Sequence, residues 1–169
     1  EDMTFSTAFN ISYNENLVTG LNENIYFETG AVNGPGLSGA YAQRLSNNVP
    51  LFSFYMAEFT GFDSAGFPTY ADVDGNGVGD PDADKKYVDA NALPDVNAGL
   101  SLNMTYKNWD FSSYFTGQFG FYVYNGTANA YFTKANIVTS RNVTANVFDE
   151  PEAVGSSLAV STRFLEKGD

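Results

Sequence analysis

Two stretches of this chain alternate large apolar and small polar residues for about ten positions each, a period that belongs to a strand and not to a helix. The first runs from Met3 to Asn14, with Met3, Phe5, Phe9, Ile11 and Tyr13 at odd positions. The second runs from Val96 to Lys107, with Leu100, Leu102, Met104 and Tyr106 at even positions. Successive side chains on a strand point to opposite faces, so each segment has one greasy face and one wet face. A tilted strand crosses a bilayer core in about 9–11 residues, whereas a strand of a soluble sandwich usually runs about five or six. The wet faces carry Asn, Ser, Thr and Gly, where a soluble sheet would place Lys and Glu. That pattern predicts strands of a transmembrane β-barrel with a polar lumen. A soluble β-sandwich also alternates and is the alternative at this point.

Composition narrows the choice. The chain has 169 residues with 15 Phe, 11 Tyr and 16 Gly, a mixture that favours strands separated by generous turns. No apolar run approaches the roughly 18 residues of a transmembrane helix, so any crossing is by strands. Helical periodicity is weak throughout, with Tyr41 to Leu45 the nearest thing to a helical turn. The fold class expected is all-β. Cysteine and histidine are both absent, which excludes disulfides, thiol chemistry, zinc sites of the Cys/His kind and triads built on His. The net charge of −12 argues against nucleic acid and anionic headgroups as targets of a basic patch. Acidic groups are plentiful, but none sits at a strand end with a recognisable partner, so a glycosidase with paired carboxylates is not indicated and no enzymatic role is expected.

A third alternating stretch follows a predicted tight turn at Lys107-Asn108-Trp109-Asp110. It runs over about 111–121, with Phe111, Ser113, Phe115, Gly117 and Phe119 on one face, and forms a hairpin with the 96–107 strand. The expected lipid-facing set is Phe5, Phe9, Ile11, Leu100, Leu102, Met104, Tyr106, Trp109, Phe111 and Phe115. Tyr106, Trp109 and Phe111 cluster at the turn, where a barrel places an aromatic girdle. Between the first strand (about 3–14) and the hairpin lie some eighty residues of irregular sequence, about 15–95, and a second such region spans about 122–160. Loops this long are uncommon and usually functional. Outer-membrane barrels pair short periplasmic turns with long extracellular loops, which orients the 107–110 turn inward and both long loops outward.

The densest chemical signal lies in the first loop. Nine of the twenty acidic residues fall between Glu58 and Asp95, and five of them between Asp72 and Asp84. Asp72, Asp74 and Asn76 stand at positions 1, 3 and 5 of a calcium-loop pattern with Gly77 at 6, the Val78 carbonyl at 7 and Asp80 at 9. Position 12 is Ala83 where the bidentate Glu should be, so Asp82 or Asp84 would have to substitute. The expectation is a structural Ca2+ that rigidifies a loop. A solvated Asp/Gly turn is the bland alternative.

These segments, in this order, resemble the C-terminal part of the SusC/RagA family of TonB-dependent outer-membrane transporters. The similarity begins with Phe9-Asn10-Ile11-Ser12-Tyr13-Asn14 through Val18-Thr19. It continues through Val49-Pro50-Leu51-Phe52-Ser53-Phe54-Tyr55, Phe59-Thr60-Gly61-Phe62-Asp63 and Gly66-Phe67-Pro68-Thr69-Tyr70. Then come Leu93-Pro94-Asp95-Val96-Asn97-Ala98-Gly99, Leu102 to Ser112, Gly117-Gln118-Phe119-Gly120 and Tyr124-Asn125. The run Ser161 to Asp169 looks like the approach to one of the family's late strands. Residues 20–48 and 126–158 are outside the resemblance. Met56-Ala57 stands where many relatives have Gly-Tyr, and Asn91-Ala92 where a small residue and Pro are frequent.

The resemblance implies that residues 1–169 are a fragment of one barrel domain of about 22 strands, with the plug domain elsewhere. Open strand edges do not survive in lipid, so the partners implied are the remainder of the same barrel and outer-membrane lipid. It further implies a SusD-like surface lipoprotein, TonB acting through the plug, uptake of glycans, oligosaccharides or peptides, and residence in a Bacteroidetes-type outer membrane. Tyr41, Phe52, Tyr55, Phe62, Phe67, Tyr131 and Phe132 are then candidates for stacking on a ligand or a partner, or for packing among the loops. Asp63-Ser64-Ala65 resembles the short O-glycan acceptor of that phylum. Two other readings stay open: a soluble, calcium-stabilised β module that binds carbohydrate or surfaces, and a family relative recruited as a subunit of an export or barrel-assembly complex.

Overall fold

The structure, a computed structural model, describes residues 3–139 and 142–168; Glu1, Asp2, Ser140, Arg141 and Asp169, the last residue of the closing run quoted above, lie outside it. In chain order the strands are β1 (Thr4–Tyr13), β2 (Tyr26–Val32), β3 (Ala40–Ser46), β4 (Ser53–Ala57), β5 (Phe59–Phe62), β6 (Pro68–Tyr70), β7 (Lys85–Asn91), β8 (Val96–Tyr106), β9 (Trp109–Phe119), β10 (Tyr122–Tyr124) and β11 (Leu165–Lys167). A single short α-helix among the described residues, α1 (Gly126–Tyr131), follows β10 and is capped by the Asn125 side chain on the Ala128 N–H. The chain is all-β with almost no helix.

The three long strands form one antiparallel sheet in the order β1-β8-β9. Their registers superpose the three period-2 patterns without slippage. Phe9 stands opposite Leu100 and Leu100 opposite Phe115; Phe5, Met104 and Phe111 line up likewise, as do Tyr13, Val96 and Phe119. The wet rows match too, with Ser6, Asn103 and Ser112 in one and Ser12, Asn97 and Gln118 in another. A one-residue slip would mix the faces, so the pattern itself fixes the register. The turn is tighter than the four residues predicted. Trp109 and Asp110 are already in β9, which leaves Lys107 and Asn108 as the loop, with Lys107 at φ 54°.

The stretch expected to be irregular from 15 to 95 is mostly sheet. β2-β3-β4-β7 form a four-stranded antiparallel sheet, and β5 and β6 a separate hairpin. Tyr41–Leu45, the nearest sequence match to a helical turn, is the centre of β3: pairing with β2 from Tyr26↔Ser46 to Val32↔Ala40 overrides the local spacing. A hydrophobic core sits between this sheet, α1 and the later chain. It comprises Val32, Leu37, Ala42, Phe54, Met56, Ala130 and Val160, with Tyr122, Tyr124 and Leu165 packed against it.

Past β9 the chain bends at Gly120, whose φ of 77° suits glycine. A Cβ there would also sit 2.6 Å from the Asp95 carboxylate. After that bend β10 pairs with β11, which returns after some forty residues. Each pairing runs one step past its strands: Asn14 N–H donates to the Asp95 carbonyl (2.8 Å) beyond β1 and β8, and Gly168 N–H to that of Phe121 (3.0 Å) beyond β10 and β11.

Candidate functional site

Every residue expected to face lipid lies on one face of the β1-β8-β9 sheet, as the registers above require. Phe5, Phe9, Ile11, Tyr106, Trp109, Phe111 and Phe115 are exposed, and Leu100, Leu102 and Met104 are half-buried by their neighbours across the strands. The opposite face is knit by polar side chains: Gln118 donates to Asn97 (3.0 Å), and Thr105 Oγ1 to Asp110 (2.8 Å). A soluble antiparallel sheet buries its greasy face on a core; here that face is bare.

The acidic loop closes on itself. Asp84 is fully buried, and its carboxylate accepts the backbone N–H groups of Val73 (2.8 Å), Asp74 (3.1 Å) and Asp80 (2.8 Å). Those N–H groups, that of Asp80 foremost and that of Val73 next, hold its carboxyl below the ordinary aspartate range despite its burial. Asp72 accepts from Gly75 and Gly77 (2.8 Å each) and Asp74 from the Asn76 N–H (3.0 Å). Of the predicted ligands, Asp72, Asp74 and Asp84 converge, each offering an oxygen within 4.8 Å of the others. Of the two candidates to substitute for a twelfth-position Glu, Asp84 is the one beside Asp72 and Asp74. Among the acidic side chains of the described residues Asp80 and Asp82 are not in this cluster; Asp80 accepts from the Asp82 N–H (2.8 Å), and the Asn76 side-chain oxygen accepts from the Val78 N–H (2.8 Å). Three carboxylates with spare lone pairs are a donor set suited to a hard cation.

The candidate aromatics do not gather in one place. Tyr41, Phe52, Phe67, Tyr131 and Phe132 are exposed. Tyr55 packs edge-on to Tyr87 with ring centres 4.9 Å apart and has the Arg44 guanidinium 3.7 Å above its ring. Phe62 meets Phe59 at 5.2 Å and the Arg163 guanidinium at 4.9 Å.

Sequence reading missed the pair that organises the second long loop. Arg163 gives Nη1 and Nη2 to the two oxygens of Glu152 (3.0 and 3.2 Å), and Glu152 also accepts from the Lys134 N–H (2.9 Å) and the Ser156 hydroxyl (2.7 Å). Burial alone would raise this carboxyl's pKa. Arg163 and the other donors outweigh it and hold the group below its usual range. The eleven-residue separation leaves no local signature of the pairing.

No protein-family model matches the chain. It is 30% identical over 166 residues to the TonB-dependent receptor SusC of Bacteroides thetaiotaomicron, which aligns 95% of this chain with 16% of that protein. It is 26% identical over 192 residues to the TonB-dependent receptor P3 of Formosa agariphila, aligning 99% of this chain with 19% of that one. In fold it is similar to the structure of the RagAB peptide transporter, with a TM-score of 0.68 at 21% identity, and to the RagAB peptide importer in its open-open state, with a TM-score of 0.64; each likeness covers 99% of this chain and 19% of that one. The chain therefore spans under a fifth of the length of the relatives it matches. Relatives and fold agree with the bare apolar face, and together they identify the chain as a segment of a SusC/RagA-type TonB-dependent receptor.

Proposed function

We propose that this segment supplies three wall strands and two outward loop assemblies of a TonB-dependent outer-membrane importer. The observation that carries this reading is the shared register: three consecutive apolar rows coincide on one uncovered face. In lipid that face is solvated by acyl chains, and its free edges at β1 and β9 pair with other strands of a barrel of about 22. The turn at Lys107-Asn108 then faces the periplasm, and the β2-β3-β4-β7 sheet and the 126–164 segment face outside. Import of a glycan, oligosaccharide or peptide would require a SusD-like lipoprotein cap and TonB pulling on a plug. The segment supplies no catalytic constellation in this reading, only wall and binding surface.

Asp72, Asp74 and Asp84 are the residues that would hold a structural Ca2+. Its electrostatic role would be to neutralise three neighbouring carboxylates and stiffen the 72–84 loop.

The test is to express the full-length protein and fractionate the cell. A heat-modifiable outer-membrane species near 100 kDa, co-purifying with a surface lipoprotein and taking up ligand only when TonB is present, is the expected result; a protein recovered in the soluble fraction would overturn the reading. Chelating calcium should raise proteolytic nicking within 72–84 while leaving the barrel folded. Unchanged nicking removes the ion but not the importer.

A further inference from the structure

We propose that Asn76-Gly77, in the 72–84 loop, is a site of spontaneous covalent modification: the Gly77 nitrogen attacks the Asn76 side-chain amide, and the loop gains a carboxylate in its place. This goes beyond the importer reading and does not rest on it.

The chain has three Asn-Gly pairs, Asn33-Gly34, Asn76-Gly77 and Asn125-Gly126. In such a pair the main-chain nitrogen that follows Asn can reach the side-chain carbonyl carbon, because glycine places no side chain in the path. A new N–C bond closes a cyclic imide, and the C–N bond of the side-chain amide breaks. The proton lost from the glycine nitrogen ends on the departing group, which leaves as ammonia. Water then opens either imide carbonyl and gives aspartate or isoaspartate. Water is the sole co-reactant.

Of the three pairs, the one at 76 and 77 is arranged for this step. The Asn76 side-chain oxygen accepts the Val78 N–H (2.8 Å). That bond closes a ring containing both the Asn76 Cγ and the Gly77 nitrogen, and it polarises the carbonyl to be attacked. The Gly77 N–H donates to the Asp72 carboxylate (2.8 Å), which leaves more electron density on the attacking nitrogen. Among the described residues, no atom beyond its chain neighbours lies within 4 Å of where a Gly77 Cβ would sit. Residues 76–78 are exposed to the water that completes the reaction.

The other two pairs are held by their surroundings. The Asn125 oxygen caps α1 on the Ala128 N–H (2.8 Å), and its amide donates to Glu166 (2.8 Å), so reaction there costs the cap. Gly34 is pressed against α1: a Cβ in its place would sit 2.6 Å from that of Ala130. Its carbonyl also accepts the Leu37 N–H (3.1 Å), which fixes the backbone that would have to turn.

Conversion has a mechanical consequence. The Asn76 Nδ2 donates to Asp74 Oδ2 (3.0 Å). A carboxylate in place of that donor sets two like charges together, and the isoaspartate product also lengthens the main chain by a carbon. The loop loosens, and the change runs one way.

The test is to age the full-length protein in detergent and metal-free buffer and to map aspartate and isoaspartate by peptide mass spectrometry. Asn76 should convert at least about tenfold faster than Asn33 and Asn125, the scale on which orienting a reacting pair acts. Unfolding in urea should bring the three rates together, because each site then presents the same dipeptide. Asn76→Asp, which installs one product directly, should raise hydrogen exchange over 75–78 and leave β8 unchanged. Equal rates in the folded protein, a different site first, an order that survives unfolding, or wild-type exchange in Asn76→Asp would overturn the proposal.

Discussion

The two sheets of this chain draw on similar apolar residues and treat them in opposite ways. Phe9 in β1 is 65% exposed and Phe54 in β4 is 2% exposed. No residue of β1 is buried, while four of the five residues of β4 are. The β2-β3-β4-β7 sheet, the outer sheet of the proposed importer, is short-stranded and bulged, and it gathers Val32, Ala42, Phe54 and Met56 into a core, as water demands of apolar area at roughly 25 cal/mol per Å². The long sheet keeps its registers perfect and its rings bare. A contiguous apolar face of that size has no place on a monomer in water. The difference matches the reading proposed above: the β2-β3-β4-β7 sheet has the burial of a sheet folded by water, and the long sheet has the bare face that lipid and neighbouring strands would cover.

The largest effect should come from the outer half. Arg163→Ala would leave Glu152, 3% exposed, with no counter-charge, and breaking a buried pair costs about 3–5 kcal/mol. Hydrogen exchange on the full-length protein should show 134–164 losing protection while β8 and β9 keep theirs. Acid should act in the same place. The folded carboxyl of Glu152 lies below its usual value of 4.5, so its contribution is complete above that value and is lost as pH falls through the depressed one. A β8-β9 sheet that melted together with this segment would break the division into two halves.

Met56→Ala comes next. Met56 is 0% exposed in the middle of the outer core, and emptying such a site costs about 2–5 kcal/mol. The loss should appear as exchange in β4 and β7, where Tyr55 faces Tyr87. Wild-type protection there would mean that the outer sheet takes its stability from the barrel and not from its own core.

How much of this was legible beforehand follows from strand length. β1, β8 and β9 run ten or eleven residues, long enough for a period of two to stand out, and the pattern placed their ends to within two residues. The strands between them run three to seven residues and are interrupted, at Gly30 by a positive φ and between Ser53 and Tyr55 by a register shift. No alternation survives such breaks, so the region reads as loop. The acidic loop announced itself because Asp and Gly spacing is local, yet sequence could not choose between Asp82 and Asp84. The backbone N–H groups of Val73, Asp74 and Asp80 fold around Asp84 and bring its carboxylate, not that of Asp82, beside Asp72 and Asp74. The Glu152–Arg163 pair and the Arg44–Tyr55 contact join distant residues and have no local signature.

The sharpest and smallest prediction sets two adjacent residues against each other. Leu100 lies between Phe9 and Phe115 on the apolar face, and Ser101 lies between Ala8 and Tyr114 on the polar one. Placed in the full-length protein, Leu100→Arg puts a charge where acyl chains should be, at a cost of about 2–4 kcal/mol near the midplane. Ser101→Arg puts the same charge into a watery lumen, beside a small Ala8 and the exposed ring of Tyr114, and should shift stability by no more than about 0.5 kcal/mol. Refolding titrations into lipid vesicles, read by heat-modifiability on gels, measure both. If the protein is a soluble module whose apolar face docks on another protein, Leu100→Arg would still be costly. It would then lower stability in lipid-free buffer, where the barrel reading expects no folded state at all. Equal costs at 100 and 101 would mean that both faces are packed and that the apolar one does not meet lipid.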